Sequence, residues 1–540
     1  MTDRPVVPRE QVQPAGEADG ITSPLSVCLL TEGSYPHYKG GVSTWCDMLV
    51  RGTPEVRYTV ISLVADPSAE PVYALPENVV ELQSIALWGT GEVLELNREL
   101  SLREVIRRKR SAPDRAIEMA FVPLFVDFLE LLWRTEADPD RFVKVLQAMA
   151  TYFETHDYDV TMRSHAVWQA FLDHSVTGYR QAYGERAAPV SLSDATDVMR
   201  LLYRWLTMLS IPVPHVDVVH AASAGLASIL GIVAAGRPDT AFLLTEHGVY
   251  LRERLLALTR SESSPFDQAF QAAFAQRITE GSYWCANQIA PGSRYNHRWE
   301  IYVGAEPATI QTIYNGPDPA EFTPATLDRT PGAPPVVVWL GRIDPLKDLE
   351  TLVRAAAIVH DDMPEVQFVL YGKAPKGNEW YYERVVGLRD RLGLQDTVHF
   401  PGYAASAAAA YNEGDFVVLS SISEGFPYSV VEAMMCGRTV VGTDVGGVSE
   451  ALEGCGLVVD PRHPEQMARA CLQLLRDPDL AREMGRKARE KALAQFSLQQ
   501  CNAAYLATYP RLARWVKQSN RTAVYQLSPV SVPLAEGADR

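Results

Sequence analysis

The sequence predicts an α/β protein of two domains, each a parallel β-sheet covered by helices on both faces, opening on one another across a cleft. Three observations predict this. The chain has 540 residues, well past the roughly 250–300 at which a single hydrophobic core stops growing. Its second half carries six apolar, β-branched runs, VVVWLG, VQFVLYG, TVHFPG, FVVLSS, TVVGTD and GLVVD, each separated from the next by a helical segment. Continuous runs of that kind are strands buried on both faces of a parallel sheet. The first half carries a similar series, LSVCLL, YTVISLV, VDVVH, AFLLTEHG and QIAPG. Two Rossmann-like domains follow, and ligands of such sheets bind in the crevice outside the carboxyl ends of the strands.

In chain order, residues 1–23 are polar and Pro-rich and read as a disordered tail. Residues 24–318 form the first domain, opening as strand, Gly-containing loop (TEGSYPHYKGG), helix (VSTWCDMLV) and strand. About 95–210 read as amphipathic helix, including IEMAFVPLFVDFLELLWR and ATDVMRLLYRWLTML, and form a helical insertion. The apolar run from Ala221 to Gly236 is too short for the ~20 residues a membrane span needs and reads as a helix at 223–235 packed on the sheet. A further helix covers 264–287. The Pro-rich TPATLDRTPGAPP has the composition of an interdomain connection. Residues 319–496 form the second domain, 497–517 a helix returning to the first, and 518–540 a flexible tail.

Composition narrows the function. With 47 % apolar and 21 % charged residues the chain can bury large cores. Sixty-six acidic against 50 basic residues give a formal charge of −16, which argues against broad contact with nucleic acid or anionic lipid. Seven scattered cysteines (Cys28, Cys46, Cys285, Cys436, Cys455, Cys471, Cys501) form no CxxC pair. That fits a reducing compartment and offers no zinc site. The start lacks the basic-then-apolar pattern of a secretory signal, so a soluble cytoplasmic protein is expected.

The residues that could carry chemistry follow strands. In VVVWLGRIDPLKDLETLVRAA, Arg342 ends a strand and Lys347 falls in the expected first turn of the next helix, with Asp344 as N-cap and Pro345 at the first helical position. Cations oppose the dipole at a helix N-terminus by about 0.3–1 kcal/mol, and a bound anion reverses that sign. Both residues therefore read as phosphate or diphosphate binders. After FVVLSS, the stretch SEGFPYSVVEAMMCG places Glu424 in a loop and Glu432 in the expected first turn of a helix starting near Ser429. Two carboxylates there can accept hydroxyl hydrogen bonds from different parts of an extended polyhydroxylated ligand. Ser429-Val-Val-Glu432 equally fits a capping box, in which the Glu only closes on the N-cap amide. Gly446-Gly447 either bring amides near a ligand or form a plain turn. In the first domain, Lys39-Gly40-Gly41 end a strand-to-helix loop, and His247 and His220 each end a strand. Three DxD triplets (Asp138/Asp140, Asp157/Asp159, Asp477/Asp479) follow no clear strand and suggest no metal site.

GRIDPLKDLETLVRA followed by SEGFPYSVVEAMMCGRTVVGTDVGGVSE resembles the donor-binding half of glycosyltransferase family 4, which has the two-Rossmann GT-B fold. LLTEGSYPHYKGGVSTWCDML, TEHGVYLRER and LYGKAPKGNEWYYERV further resemble the PelF-type glycosyltransferases of Pel exopolysaccharide synthesis. The resemblance spans 24–517, strongest in 315–460 and weakest in the helical region. It implies a cytoplasmic, retaining, metal-independent glycosyltransferase moving a hexose or N-acetylhexosamine from a nucleoside-diphosphate sugar, UDP-linked, to a growing glycan. No cofactor is implied, and docking to an inner-membrane polysaccharide export complex is. Residue by residue, it gives Arg342 and Lys347 the diphosphate and Glu432 the ribose. Glu424 and the amides of Gly425, Phe426, Pro427, Tyr428, Ser429 and Val430 (proline lending only its carbonyl) take the hexose and phosphate. His247 lines the donor sugar, and Lys39, Gly40 and Gly41 approach phosphate or acceptor. The second Met of EAMMCG, often Ala in the family, and the acidic helical insertion depart from common forms. Two other readings stand beside this one: a nucleotide-sugar 2-epimerase on the same fold, and a non-catalytic nucleotide-sugar-binding scaffold.

Overall fold

The computed structural model describes residues 24–89, 101–136, 138–325 and 332–526. The tail expected at 1–23, and 527–540 of the one expected at the C-terminus, lie outside the described residues. The first sheet contains β1 (Ser26–Glu32), β2 (Arg57–Val64), β3 (Val79–Ala86), β4 (Val218–Ala221), β5 (Ala241–Glu246) and β6 (Gln288–Pro291). The second contains β7 (Val336–Leu340), β8 (Gln367–Tyr371), β9 (Val398–Gly402), β10 (Phe416–Leu419), β11 (Val440–Thr443) and β12 (Leu457–Val459). All their pairings are parallel. The orders are β3-β2-β1-β4-β5-β6 and β12-β11-β10-β7-β8-β9, the same doubly wound order twice. The protein is thus a two-domain Rossmann-like α/β fold, and the order reverses between β1 and β4 and between β7 and β10, where such sheets open a crevice.

Strand β3 is absent from the strands expected above. Its residues are mostly half-exposed, as suits a strand at the sheet's edge, and they lack the continuous apolar run of its neighbours. The insertion is helical, with Leu102–Ser111, Val122–Trp133, Pro139–Phe153, Tyr158–Met162, His165–Phe171, Thr177–Tyr183 and Leu192–Trp205 as its main α-helices. The run expected as one helix from Ile117 begins with a π-helical turn, Ile117–Phe121, before Val122–Trp133. Pro123, which has no N–H to give, sits at that junction. Phe121, Phe125, Phe128 and Phe142 pack this layer onto the face of the first sheet that carries Leu30 and Leu244. The helix expected at 223–235 is shorter, Ser228–Ala234.

The opposite face of the first sheet packs against the helix Gly41–Gly52 and the final helix, through Trp45, Tyr505 and Tyr509. That final helix, Leu498–Gln526, extends past the expected end at 517. The chain crosses between sheets twice, and the crossings touch: Leu498 N–H donates to the Pro317 carbonyl (3.1 Å). A Cβ on Gly316 would lie 2.0 Å from the Phe496 carbonyl oxygen, so glycine is required there. Among the described residues, no helix is long and apolar enough to cross a membrane.

Candidate active site

The site is built on the loops that leave β7, β10 and β5. After β7, Asp344 caps a short 3₁₀ turn, Pro345–Lys347, by accepting from Leu346 N–H (2.9 Å). The α-helix starts four residues later than the sequence suggested, at Leu349 instead of Pro345: Asp348, in the left-handed region at φ 44°, caps Leu349–Asp362 through Thr351. Lys347 therefore precedes the helix instead of lying in its first turn. Its ammonium donates to Glu424 Oε1 (2.6 Å), with both side chains largely buried. Ser421 Oγ donates to the same oxygen at 2.5 Å. Two further bonds lace the loops together: Ser420 Oγ to the Lys347 carbonyl (2.7 Å) and Ile422 N–H to the Leu346 carbonyl (2.8 Å). Arg342 is exposed and, among the described residues, joins no such pair.

Beyond Glu424 the chain passes between two backbones. A Cβ on Gly446, where φ is 57°, would fall 2.1 Å from the Glu424 carbonyl oxygen, and Gly447 N–H donates to the Gly425 carbonyl (2.7 Å). The VGG loop thus braces the Glu424 loop from behind. On the other side a Cβ on Gly425 would fall 2.5 Å from the His247 carbonyl oxygen. Glycine at 425 lets the loop of the second domain touch that of the first, and Arg252 of the first domain reaches Ser423 Oγ (3.3 and 3.4 Å). Lys347, Glu424, Gly425 and His247 are brought together.

The helix after this loop is Tyr428–Met435, with Pro427 at its N-cap and no side-chain cap. Ser429 is already inside it, so no capping box forms, and Glu432 lies in the second turn. Instead Glu432 accepts from Tyr411 OH through Oε2 (2.8 Å). Burial pushes its pKa up, and the tyrosine bond opposes that shift. Phe426 is packed on Tyr314 and Phe496, so it offers a ligand its backbone only; Val430 is buried and its N–H donates to the Pro427 carbonyl (3.2 Å), so the amide expected there is already used. Tyr428 has a buried hydroxyl with no partner among the described residues.

His247 follows β5. Trp45 lies edge-on to it with ring centroids 4.4 Å apart, and Asn315 Nδ2 lies 3.1 Å from its Nδ1. Burial lowers its pKa to about 4, so the imidazole is neutral at pH 7. Nε2 is buried and has no partner among the described residues. His220 does not share this placement. It is fully buried on the far side, bonded to Tyr509 OH (2.9 Å) and Thr245 Oγ1 (2.7 Å), and burial first, then His247, lowers its pKa to about 3. Lys39, Gly40 and Gly41 are exposed at the start of the helix Gly41–Gly52. A Cβ on either glycine would meet no described atom within 4 Å, so the chain's own packing does not demand them. Each DxD triplet starts a helix, with Asp138, Asp157 and Asp477 as caps.

Trp45, Arg252, Asn315, Tyr411 and Ser423 were not foreseen. Asn315 carried a signal in Asn-Gly-Pro, a turn sequence between a strand-like run and the linker; the others look like ordinary helix or loop residues until the fold sets Trp45 on His247, Tyr411 on Glu432 and Arg252 on Ser423.

Comparison with known proteins gives this geometry a context. Residues 334–477 match the family model described as "Glycosyl transferases group 1", and residues 25–308 match "Domain of unknown function (DUF3492)". The chain is 30 % identical over 330 residues to the D-inositol 3-phosphate glycosyltransferase of Salinispora arenicola, covering 57 % of this chain and 72 % of that one. It is 33 % identical over 219 residues to the enzyme of the same name from Segniliparus rotundus, covering 38 % of this chain and about half (48 %) of that one. In fold it is similar to the sucrose-phosphate synthase of Thermosynechococcus elongatus (TM-score 0.53, 18 % identity, 93 % of this chain and 100 % of that one). It is also similar to Anabaena HepE, solved in complex with UDP and glucose (TM-score 0.52, 16 % identity, 89 % and 98 %).

Proposed function

Because this chain belongs to the group 1 glycosyltransferases, with an N-terminal half of the DUF3492 family, we propose the following activity for it. It is a retaining, metal-independent transferase that moves a hexose or N-acetylhexosamine from a UDP-linked donor to a growing glycan in exopolysaccharide biosynthesis. The observation that carries the donor assignment is the Lys347–Glu424 pair at the reversal point between β7 and β10. A cation there offsets the charge of a departing diphosphate, and preorganised groups of that kind commonly contribute more to rate enhancement than any other effect. Arg342, exposed on the same loop, supplies the second cation. Glu424 holds Lys347 in place in the ligand-free chain and accepts hexose hydroxyls once donor arrives. Glu432 takes the ribose hydroxyls: its half-buried carboxylate has one hydrogen-bond partner among the described residues, Tyr411, and keeps acceptor capacity to spare. The amides of Gly425, Phe426, Tyr428 and Ser429 face the phosphate and hexose, while that of Val430 donates to the Pro427 carbonyl (3.2 Å).

His247 is neutral and meets the donor sugar as a hydrogen-bonding group rather than as a charge. The acceptor hydroxyl attacks the anomeric carbon from the face the diphosphate leaves. The new bond joins acceptor oxygen to anomeric carbon, the carbon–oxygen bond to the diphosphate breaks with its electron pair on phosphate, and the acceptor's proton passes to that phosphate. Lys39, Gly40 and Gly41 border the phosphate or acceptor from the first domain, and the protein works in the cytoplasm, docked to a membrane export complex.

Incubation with a panel of nucleotide sugars, with products read by mass spectrometry and by NMR of the anomeric linkage, tests the reading. Transfer with retained configuration, unchanged by EDTA, is expected. An isomerised free donor would indicate the epimerase, and donor-induced thermal stabilisation without turnover the scaffold. A ligand at 100 times its Kd stabilises by about 2.7 kcal/mol, so binding is readable in either case.

A further inference from the structure

We propose that Asn315 is a positioning residue that fixes which nitrogen of His247 carries the proton, and thereby makes Nε2–H a hydrogen-bond donor to the transferred sugar. The inference rests on the donor site proposed above. A neutral imidazole has one N–H, and its position follows from the partner of the other nitrogen. Here that partner is the Asn315 side-chain amide nitrogen, 3.1 Å from Nδ1. An amide NH₂ only donates, so Nδ1 accepts and the proton resides on Nε2. Nε2 is buried with no partner among the described residues. A buried N–H without a partner is a group whose bond awaits a ligand, and a sugar hydroxyl at this edge of the cleft can accept it.

The surroundings hold both residues still. Trp45, almost wholly buried, closes one side of the imidazole. Asn315 is 6 % exposed and directly precedes Gly316, which is locked against Phe496 where the two interdomain crossings meet. Its Oδ1 is buried with no partner among the described residues, so the bond to His247 is the one its side chain makes there. The neutral form matters too, since an imidazolium would donate from both nitrogens and have no use for the Asn315 donor.

The assignment is read directly by histidine-selective ¹⁵N NMR of the full-length chain, with His247→Gln identifying its signal among the 11 histidines. The wild type should show Nε2–H and unprotonated Nδ1. Asn315→Asp, equal in shape but able only to accept, should move the proton to Nδ1 or charge the ring. It should also lower kcat/KM on the order of 10-fold, the worth of one hydrogen bond, while binding of UDP alone stays unchanged. Nδ1–H in the wild type would overturn the inference, since Asn315 would then accept through Oδ1. So would an Asn315→Asp variant with wild-type kcat/KM. Nε2–H in a chain that turns over no nucleotide sugar would support the tautomer and overturn the proposed reaction instead.

Discussion

At the carboxyl edge of the second sheet, charge meets charge: Lys347 and Glu424 are 2.6 Å apart, and Glu432 lies one helix further on. The loop of the first sheet that touches them carries His247, a neutral ring between Trp45 and Asn315. The two sheets have the same strand order, so topology does not make this difference. It arises from the few residues that follow the strands. A fold of this kind decides where a ligand sits, and the loop residues decide what each wall does to it. On the function proposed above, the charged wall meets the leaving diphosphate and the neutral wall orients the sugar without charging it.

The sharpest way to break this comparison is to discharge the polar wall. Lys347→Ala and Arg342→Ala should each lower kcat/KM on the order of 10²-fold or more, as loss of one oxyanion donor does. They should differ in the ligand-free protein. Lys347→Ala strips the ion-pair partner from a largely buried carboxylate and should lower the Tm by several degrees, on the basis of about 1–3 kcal/mol for an unsatisfied buried group. Arg342 is exposed, and its loss should leave the Tm unchanged. If both variants stayed near wild-type rates, the diphosphate site would have to be elsewhere.

Glu432 sharpens the same point. With no capping box at Ser429, Glu432→Ala removes only the bond to Tyr411 from the ligand-free chain. If Glu432 binds ribose, two hydrogen bonds to a charged group are lost, each worth about 1.5–3 kcal/mol. Donor affinity or kcat/KM should then fall by at least ~10², while the Tm falls by a few degrees because the buried Tyr411 hydroxyl loses its acceptor. Full donor affinity in this variant, measured by calorimetry, would remove Glu432 from the site.

Contact between the walls is tested by Gly425→Ala. The added Cβ would need to displace the His247 carbonyl from 2.5 Å. Widening the cleft there should reduce kcat about 10-fold through misplacement alone, while the second domain keeps its stability. An unchanged kcat would mean that closure at this point is not used in turnover.

Which parts of this were readable in advance follows from the physics of each element. Buried parallel strands announce themselves by unbroken apolar runs, so both doubly wound sheets were legible; β3, half-exposed at an edge, was not. The placement of Arg342, Lys347, Glu424 and His247 on loops at the sheet edges was legible because each follows such a strand. Local capping was misjudged twice. Asp348 in a left-handed conformation outcompeted Asp344 as the helix cap, and Pro427 started the next helix early enough to put Ser429 inside it. His220 and His247 both end strands, yet they part company because β4 and β5 place them differently. Asn315 and Trp45 acquire meaning only through contacts to His247 from segments about 70 and about 200 residues away, which no local pattern encodes.

The smallest effect expected is also the most general test of the neutral wall, and it concerns stability against pH. Behind His247, Glu246 is fully buried, accepting from Tyr283 OH (3.2 Å), and burial raises its pKa to about 8. Burial, then the neighbouring Glu246, raises Glu300 to about 9. An acid whose pKa is higher folded than unfolded binds its proton more tightly in the native state. Its contribution is fully present below about pH 4.5 and is lost as pH rises through 8 or 9. His220 and His247 behave oppositely: their folded pKa values of about 3 and 4 lie below the unfolded 6.5, so their contribution is present above 6.5 and is lost as pH falls toward 4. Between about 4.5 and 6.5 the two slopes oppose each other and the stability curve should be flat. Between 6.5 and 9, of these four groups only the two glutamates titrate, so their contribution to the Tm should decline. Glu246→Gln, which keeps the shape without the charge, should make that alkaline decline shallower, leave only Glu300 to oppose the histidines between 4.5 and 6.5, and leave the curve below pH 4.5 as it was. A variant with the wild-type alkaline slope would show that Glu246 is ionised in the folded chain, and that the wall behind His247 is not neutral.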